Sequence, residues 1–324
     1  MLLFVGAVVI GLGLLAWASD RFISGAAATA RALGVAPILI GLTVVSFGTS
    51  APEILVAVIA AANGIPDLAI GNVVGSNIAN IGLVLGAAVA IRRLTMTSMT
   101  LRRELPVMLA ATFLPLLLYI DGQLGRLDAA ILLVSLGLLL YWLFLQNASA
   151  KTGGPLDAEF AVEIPPDMSL PTAAVSLVIG LITLLVGAEL VVFGAEEFAR
   201  TLGVSEVVIG VTVVAVGTSL PELAVAVTGA RRNQPDLVIG NVIGSNIFNL
   251  LGVVGITGMI APHEFEAEIL MLHYPAMAAI TLAVFVLTYN PRKHRGELGR
   301  MSGITLLLLF CAYQCAVAWL AVSV

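Results

Sequence analysis

Charge is what this chain has least of. Only 11% of its 324 residues are Asp, Glu, Lys or Arg, and 60% are hydrophobic. A soluble chain carries about 25% charged residues. No basic run of the kind that grips nucleic acid is present, so nucleic acid is not an expected partner. Cysteine is nearly absent. Cys311 and Cys315 share one late apolar segment at helical spacing, which excludes a disulfide framework and a cysteine metal motif. Their expected role is packing or lipid contact. The three histidines, His263, His273 and His294, fall in connections or at the ends of apolar segments, where solvent is expected to reach them.

What is there instead is a series of apolar runs, each close to the roughly 20 residues a helix needs to cross about 30 Å of hydrocarbon. The chain is therefore read as an integral membrane protein. It is apolar from Met1 onward, without a basic leader or a cleavage site, so its start is read as the first span.

Hydropathy and breakers predict ten spans, at 2–31, 36–62, 67–90, 104–120, 126–146, 170–201, 205–230, 236–260, 270–288 and 301–322. The first and sixth exceed one crossing and must tilt or run past the interface. Twelve basic residues, from Arg31 through Arg92 and Arg93 to Arg300, fall in connections on one side. Only Arg126 and Arg200 fall on the side of the N-terminus. The positive-inside rule makes the first side cytoplasmic and places both termini outside the inner membrane. The longest connection, 147–169, is acidic and proline-rich and too short for a folded domain. It is expected to be a linker between halves 1–146 and 170–324.

Those halves are related. Segment 41–82 aligns without a gap on 210–251, an offset of 169 residues, with 25 of 42 positions identical. Five spans per half would insert the second copy upside down. Such inverted repeats build transporters whose substrate site lies at the midplane, between interrupted helices. Asp20 and Glu189 also correspond. Both are expected near the cytoplasmic end of the long spans, paired with Arg21 or a neighbouring helix.

The repeated segment carries the chemistry. Glu53 and Glu222 fall near the middle of their spans, where an ionisable group costs at least about 2.5–3.5 kcal/mol. No Lys or Arg falls at similar depth, which leaves protonation or a bound cation as the offset. Thr49 and Ser50 precede Glu53 by four and three residues, and Thr218 and Ser219 precede Glu222 likewise. A continuous helix would put both hydroxyls on the carboxylate's face. Pro52 and Pro221 each free a carbonyl four residues back. The partner segments place Ser76 with Asn80, and Ser245 with Asn249, at i and i+4. Asn72, Asn77, Asn241 and Asn246 lie on other faces, suited to bonds between helices. Gly71/Gly75 and Gly240/Gly244 have the GxxxG spacing of close helix packing. Asp67 and Asp236 follow prolines and are read as N-terminal helix residues.

The ligand types on offer are carboxylate, hydroxyl, amide and carbonyl oxygen. That set suits hard cations such as Ca²⁺, Mg²⁺ or Na⁺ and disfavours zinc or copper. Three activities remain open on these residues: exchange of cations coupled to Na⁺, exchange coupled to H⁺, and passive conduction. An enzyme is not expected, because Ser50 and Ser219 have no His or Lys base at depth.

The motifs GTSAPE with GNVVGSNIAN, and GTSLPE with GNVIGSNIFN, resemble the paired repeats of the sodium/calcium exchanger branch of the calcium/cation antiporters, in its compact prokaryotic form. The resemblance implies an all-α fold of ten transmembrane helices as two inverted five-helix repeats, with interrupted helices two, three, seven and eight forming the ion-binding core. The long first and sixth helices would slide across that core. It implies Ca²⁺ ligands at Glu53 and Glu222 and at the carbonyls of Thr49 and Thr218. Ser50, Ser219, Ser76, Ser245, Asn80 and Asn249 would complete Na⁺ sites, and the carbonyls of Ser46 and Ala215 would serve outer ones. Ca²⁺ and Na⁺ are cargo, no cofactor is implied, and a monomer is the expected transport unit. Asn249 departs from members with aspartate there, which argues against a K⁺ requirement.

Overall fold

A computed structural model describes residues 2–96, 103–119, 122–149, 168–202, 215–264, 268–288 and 296–323. The chain is all-helical apart from two short ribbons. Helix α1 spans Leu2–Leu33, α2 Pro37–Thr49, α3 Ala51–Ala62, α4 Pro66–Ile91, α5 Leu105–Leu118 and α6 Arg126–Ser149. The second half continues with α7 Leu170–Thr201, α8 Ala215–Gly217, α9 Leu220–Arg231, α10 Pro235–Ile260, α11 Ile269–Thr288 and α12 Arg300–Ser323. Seven of these helices are long and apolar enough to cross a membrane, and the bent pair α2–α3 makes an eighth. Helix α5 is shorter, and much of the predicted seventh span, 203–214, lies outside the described residues.

Proline starts most of these helices. It stands at the first or second position of α2, α3, α4, α5, α7, α9 and α10. There its missing N–H removes nothing and its fixed φ suits the first turn. The turns before α4 and α10 each use one left-handed residue, Gly64 at φ 75° and Asn233 at φ 58°. These two are 169 residues apart, and glycine and asparagine are the residues that tolerate that conformation.

Helices α4 and α10 form the centre. Helix α10 is buried along its whole length and α4 along nearly three-quarters, whereas α1, α6 and α12 are mostly uncovered by protein. Their exposed side chains include Leu12, Leu138, Phe144, Leu308 and Trp319, as lipid contact requires. Cys311 and Cys315 are on this exposed surface.

The long helices α1 and α7 pack antiparallel through glycine. A Cβ on Gly11 would come 2.7 Å from the Gly187 carbonyl oxygen, and one on Gly180 would come 2.8 Å from the Phe22 nitrogen. This packing corrects one expectation. Phe4 meets Phe193 near one end, and Gly25 meets Ala173 and Leu177 near the other. Asp20 and Glu189 therefore lie toward opposite ends of the pair, because antiparallel helices carry equivalent positions to opposite sides.

Two antiparallel ribbons were not expected. Strand β1 (Leu94–Met96), after α4, pairs with β4 (Gly296–Leu298), before α12. Strand β2 (Gln123–Leu124), before α6, pairs with β3 (His263–Glu264), after α10. Each ribbon thus joins the two halves. Correspondingly, α12 packs on α4 and α6 packs on α10, with a Cβ on Gly303 only 2.8 Å from the Gly86 carbonyl and one on Gly258 2.7 Å from Leu124. The last helix of each half lies against the other half.

Candidate ion-binding site

The site is built where helices stop and restart. Helix α2 ends at Thr49, Ser50 takes φ −81° and ψ 9°, and α3 leaves at 45° to α2. Ser219, at φ −89° and ψ 5°, has the same conformation before α9. Glu53 and Glu222 each occupy the third position of the new helix. Helix N-termini present unbonded N–H groups and partial positive charge, which favour an acid there. The pattern Ser-x-x-Glu reads as a capping box, yet neither serine caps its helix. The hydroxyls of Ser50 and Ser219 are buried with no hydrogen-bond partner, and so remain available to a ligand.

Helices α4 and α10 supply the other wall. Each runs unbroken through the place where an interruption is expected and carries a π-helical stretch instead, Asn80–Leu85 and Phe248–Val253. A third such stretch, Gly41–Val45, precedes Ser46 in α2. Single π turns are frequent at functional sites because they shift side-chain register and loosen carbonyls.

Both carboxylates are fully buried. The ion pairs among the described residues all lie elsewhere, so no Lys or Arg offsets them. Glu53 accepts one hydrogen bond, from Ser76 Oγ to Oε1 at 3.3 Å, and its Oε2 has no partner. Both carboxylate oxygens of Glu222 lack partners. Thr49 and Ser50 lie beside Glu222 short of hydrogen-bond geometry, and the two acids are near enough to repel each other when ionised.

The break at Ser50 corrects the helical-face argument for Thr49. Its hydroxyl turns to the other half, donating to Asn241 Oδ1 at 3.1 Å and lying 3.5 Å from Ser245 Oγ. Thr218, half-buried, has its hydroxyl 3.5 Å from Ser76 Oγ. Asn80 is fully buried with neither amide atom bonded, and Asn249 has its Oδ1 free. Ser46 is buried but engaged: its hydroxyl donates to the Gly41 carbonyl at 2.8 Å, and its carbonyl accepts from the Ser50 N–H at 2.9 Å. Ala215 opens α8. The structure thus gathers Glu53, Glu222, Thr49, Thr218, Ser50, Ser76 and Ser245 around one buried centre. Ser219, Asn80 and Asn249 add buried polar atoms on the same helices.

Two asparagines do more than the sequence assigned them. Asn77 donates to the Asn246 carbonyl at 3.3 Å and accepts from Asn249 Nδ2 at 3.0 Å. The second bond fixes the Asn249 amide and leaves its oxygen unbonded. Asn241 takes the Thr49 proton, which leaves the threonine oxygen's lone pairs free. Their repetition at fixed offset was the available signal. Elsewhere, His273 is hydrogen-bonded to Tyr313 at 2.8 Å and is only part-exposed, a correction to its reading as solvated. His294 lies outside the described residues.

Unpartnered buried oxygens are costly, roughly 1–3 kcal/mol each and more when charged. Five stand here on Ser50, Ser219, Glu53 and Glu222 alone. Among the described residues no three of His, Cys, Asp and Glu gather at metal-binding range. The donor set is therefore two carboxylates and neutral oxygens, the chemistry of a hard cation.

A family model described as "Sodium/calcium exchanger protein" matches residues 3–145 and 172–319. The chain belongs to this family. Other members of similar length confirm it: the exchanger-family chain is 42% identical to the putative antiporter CaxA of Alkalimonas amylolytica, over 95% of this chain and 96% of that one. It is 37% identical to the inner membrane protein YrbG of Escherichia coli, over 99% and 98%, and 30% identical to the sodium/calcium exchanger MaX1 of Methanosarcina acetivorans, over 94% and 95%. Among solved structures, the sodium-calcium exchanger NCX_Mj soaked with 10 mM Na⁺ and 10 mM Sr²⁺ matches it with a TM-score of 0.82 at 35% identity, over 96% of this chain and 97% of that one. This exchanger-family chain is a multi-pass membrane protein.

Proposed function

We propose that the protein is a secondary cation antiporter that exchanges Na⁺ for Ca²⁺ across the inner membrane by alternating access. One observation carries the reading. Two buried acids with no basic partner face unbonded oxygens from both halves. Two carboxylates balance one Ca²⁺, which takes six to eight oxygens and tolerates irregular geometry. The same oxygens serve Na⁺ when Ca²⁺ leaves.

In this mechanism Glu53 and Glu222 bind Ca²⁺ with the Thr49 and Thr218 carbonyls. Ser50, Ser219, Ser76, Ser245, Asn80 and Asn249 hold Na⁺, and the Ser46 and Ala215 carbonyls take part in outer Na⁺ sites. Ten spans form two inverted five-helix repeats, 1–146 and 170–324, joined by the cytoplasmic connection 147–169, with both termini outside. The glycine-lined pair α1 and α7 moves as a unit across the core. Support for that motion comes from its smooth packing and from the small core of its own that it forms against α2 and α9. Each transport unit is one chain and needs no cofactor.

The test is Ca²⁺ flux in reconstituted vesicles. Uptake should follow an imposed Na⁺ gradient and stop when it is removed. Glu53→Gln or Glu222→Gln should abolish it. Flux driven by a pH gradient without Na⁺ would replace this reading with proton coupling. Large currents without any counter-ion would replace it with a channel.

A further inference from the structure

Three polar contacts join α1 to α9 on one side of the molecule. Ser19 Oγ lies 2.7 Å from Thr228 Oγ1, Asp20 forms an ion pair with Arg232, and Arg232 also donates to Ser24 Oγ at 2.6 Å. Arg232 caps the C-terminal end of α9. Asp20 thus pairs across helices and leaves Arg21 to stack over Trp17.

The offset of 169 residues gives the corresponding positions of the other repeat. On α7 they are Ala188, Glu189 and Phe193, opposite Ser19, Asp20 and Ser24. On α3 and its end they are Ile59 and Asn63, opposite Thr228 and Arg232. The acid is kept, but its guanidinium partner and all three hydroxyls are gone. In a fold of inverted repeats, the opposite access state arises when the halves exchange conformations. That state would set Glu189 against Asn63 and form no ion pair.

We propose that Asp20 and Arg232 are a positioning pair for transport, which holds α1 on the core in one access state only and so biases the protein toward that state. The proposal rests on the alternating-access reading. Arg232 stands on the side that the charge count assigns to the cytoplasm, so the biased state is the one closed there. A contact made in only one of two states shifts their populations by its own free energy, and a ligand's apparent affinity at each face scales with the population open to that face.

The experiment measures half-saturation for Ca²⁺ at each face of oriented vesicles containing the full chain. Asp20→Asn and Arg232→Gln should raise the extracytoplasmic value and lower the cytoplasmic one, each by about three- to tenfold. The exchange Asp20→Arg with Arg232→Asp should restore both. Asn63→Arg, which supplies Glu189 with the missing partner, should shift the two values in the same directions as the single losses. General damage would lower flux without opposed shifts. Values unchanged within twofold at both faces, or moving together, in variants that keep transporting would overturn the proposal. Absence of Na⁺-driven flux in the unaltered protein would instead sink the transport reading beneath it.

Discussion

Ser76 and Thr218 bring their hydroxyl oxygens to 3.5 Å, and Ser245 and Thr49 do the same at 3.5 Å. Adding 169 to the first pair gives the second. The two halves therefore meet at the site with matched contacts, each serine of one repeat against the threonine of the other. Equivalent substitutions should then have equivalent effects. Ser76→Ala and Ser245→Ala are expected to weaken Ca²⁺ binding by similar factors, about fivefold to twentyfold for one lost oxygen contact near a charge. Isothermal titration of the purified variants checks this, and a tenfold disparity between them would contradict the matched geometry.

Buried acids that wait for a cation make stability depend on that cation. Ca²⁺ at about 100 times its Kd should stabilise the protein by about 2.7 kcal/mol. Melting followed by intrinsic fluorescence should show a rise in Tm with Ca²⁺. Glu53→Gln and Glu222→Gln should lose the rise.

The oxygen-only donor set predicts selectivity. Sr²⁺ should compete with Ca²⁺, because larger hard cations accept seven or eight irregular oxygens. Zn²⁺ at equal concentration should not, because it is bound through nitrogen and sulfur in compact tetrahedra. Competition against radioactive Ca²⁺ separates the two.

Much of this was legible in the residues. The offset repeat located both glutamates and their serine and threonine neighbours, and hydropathy placed most helices. The orientation of Thr49 was not legible. Its i+4 relation to Glu53 presumes an unbroken helix, and the bend at Ser50 sends the hydroxyl to Asn241 instead. The ribbons escaped because two- and three-residue strands carry no periodic signal, and their partners lie over 100 residues away. The opposed levels of Asp20 and Glu189 follow only once α1 and α7 are seen to be antiparallel.

Asn77 offers a test of the asparagine network. Asn77→Leu would strip a partner from the Asn249 amide and from the Asn246 carbonyl, both inside the core. A cost of about 1–3 kcal/mol is expected, seen as a lower Tm, with weaker Ca²⁺ binding because the Asn249 oxygen is no longer fixed. Asn72→Leu, on the same helix and outside this network, should leave Ca²⁺ binding nearly unchanged.

Glycine between the long helices predicts a steric result. Gly180→Leu would drive a side chain into the Phe22 backbone, where even a Cβ sits at 2.8–2.9 Å. Overpacking of this kind costs about 1–3 kcal/mol or more, and transport should fall with it. Gly13→Ala, with nothing within 4 Å, should be tolerated. Paired melting and flux measurements distinguish the two positions.

The crossed ribbons bear on how the molecule is made. Helix α6 leaves the ribosome long before α10, the neighbour it packs against and to which its leading strand is hydrogen-bonded. The first five spans can thus enter the bilayer, but their final member must wait at the edge of an unfinished bundle. Only when the C-terminal half arrives does each half close the other, so assembly ends as a mutual clasp and not as two finished modules docking.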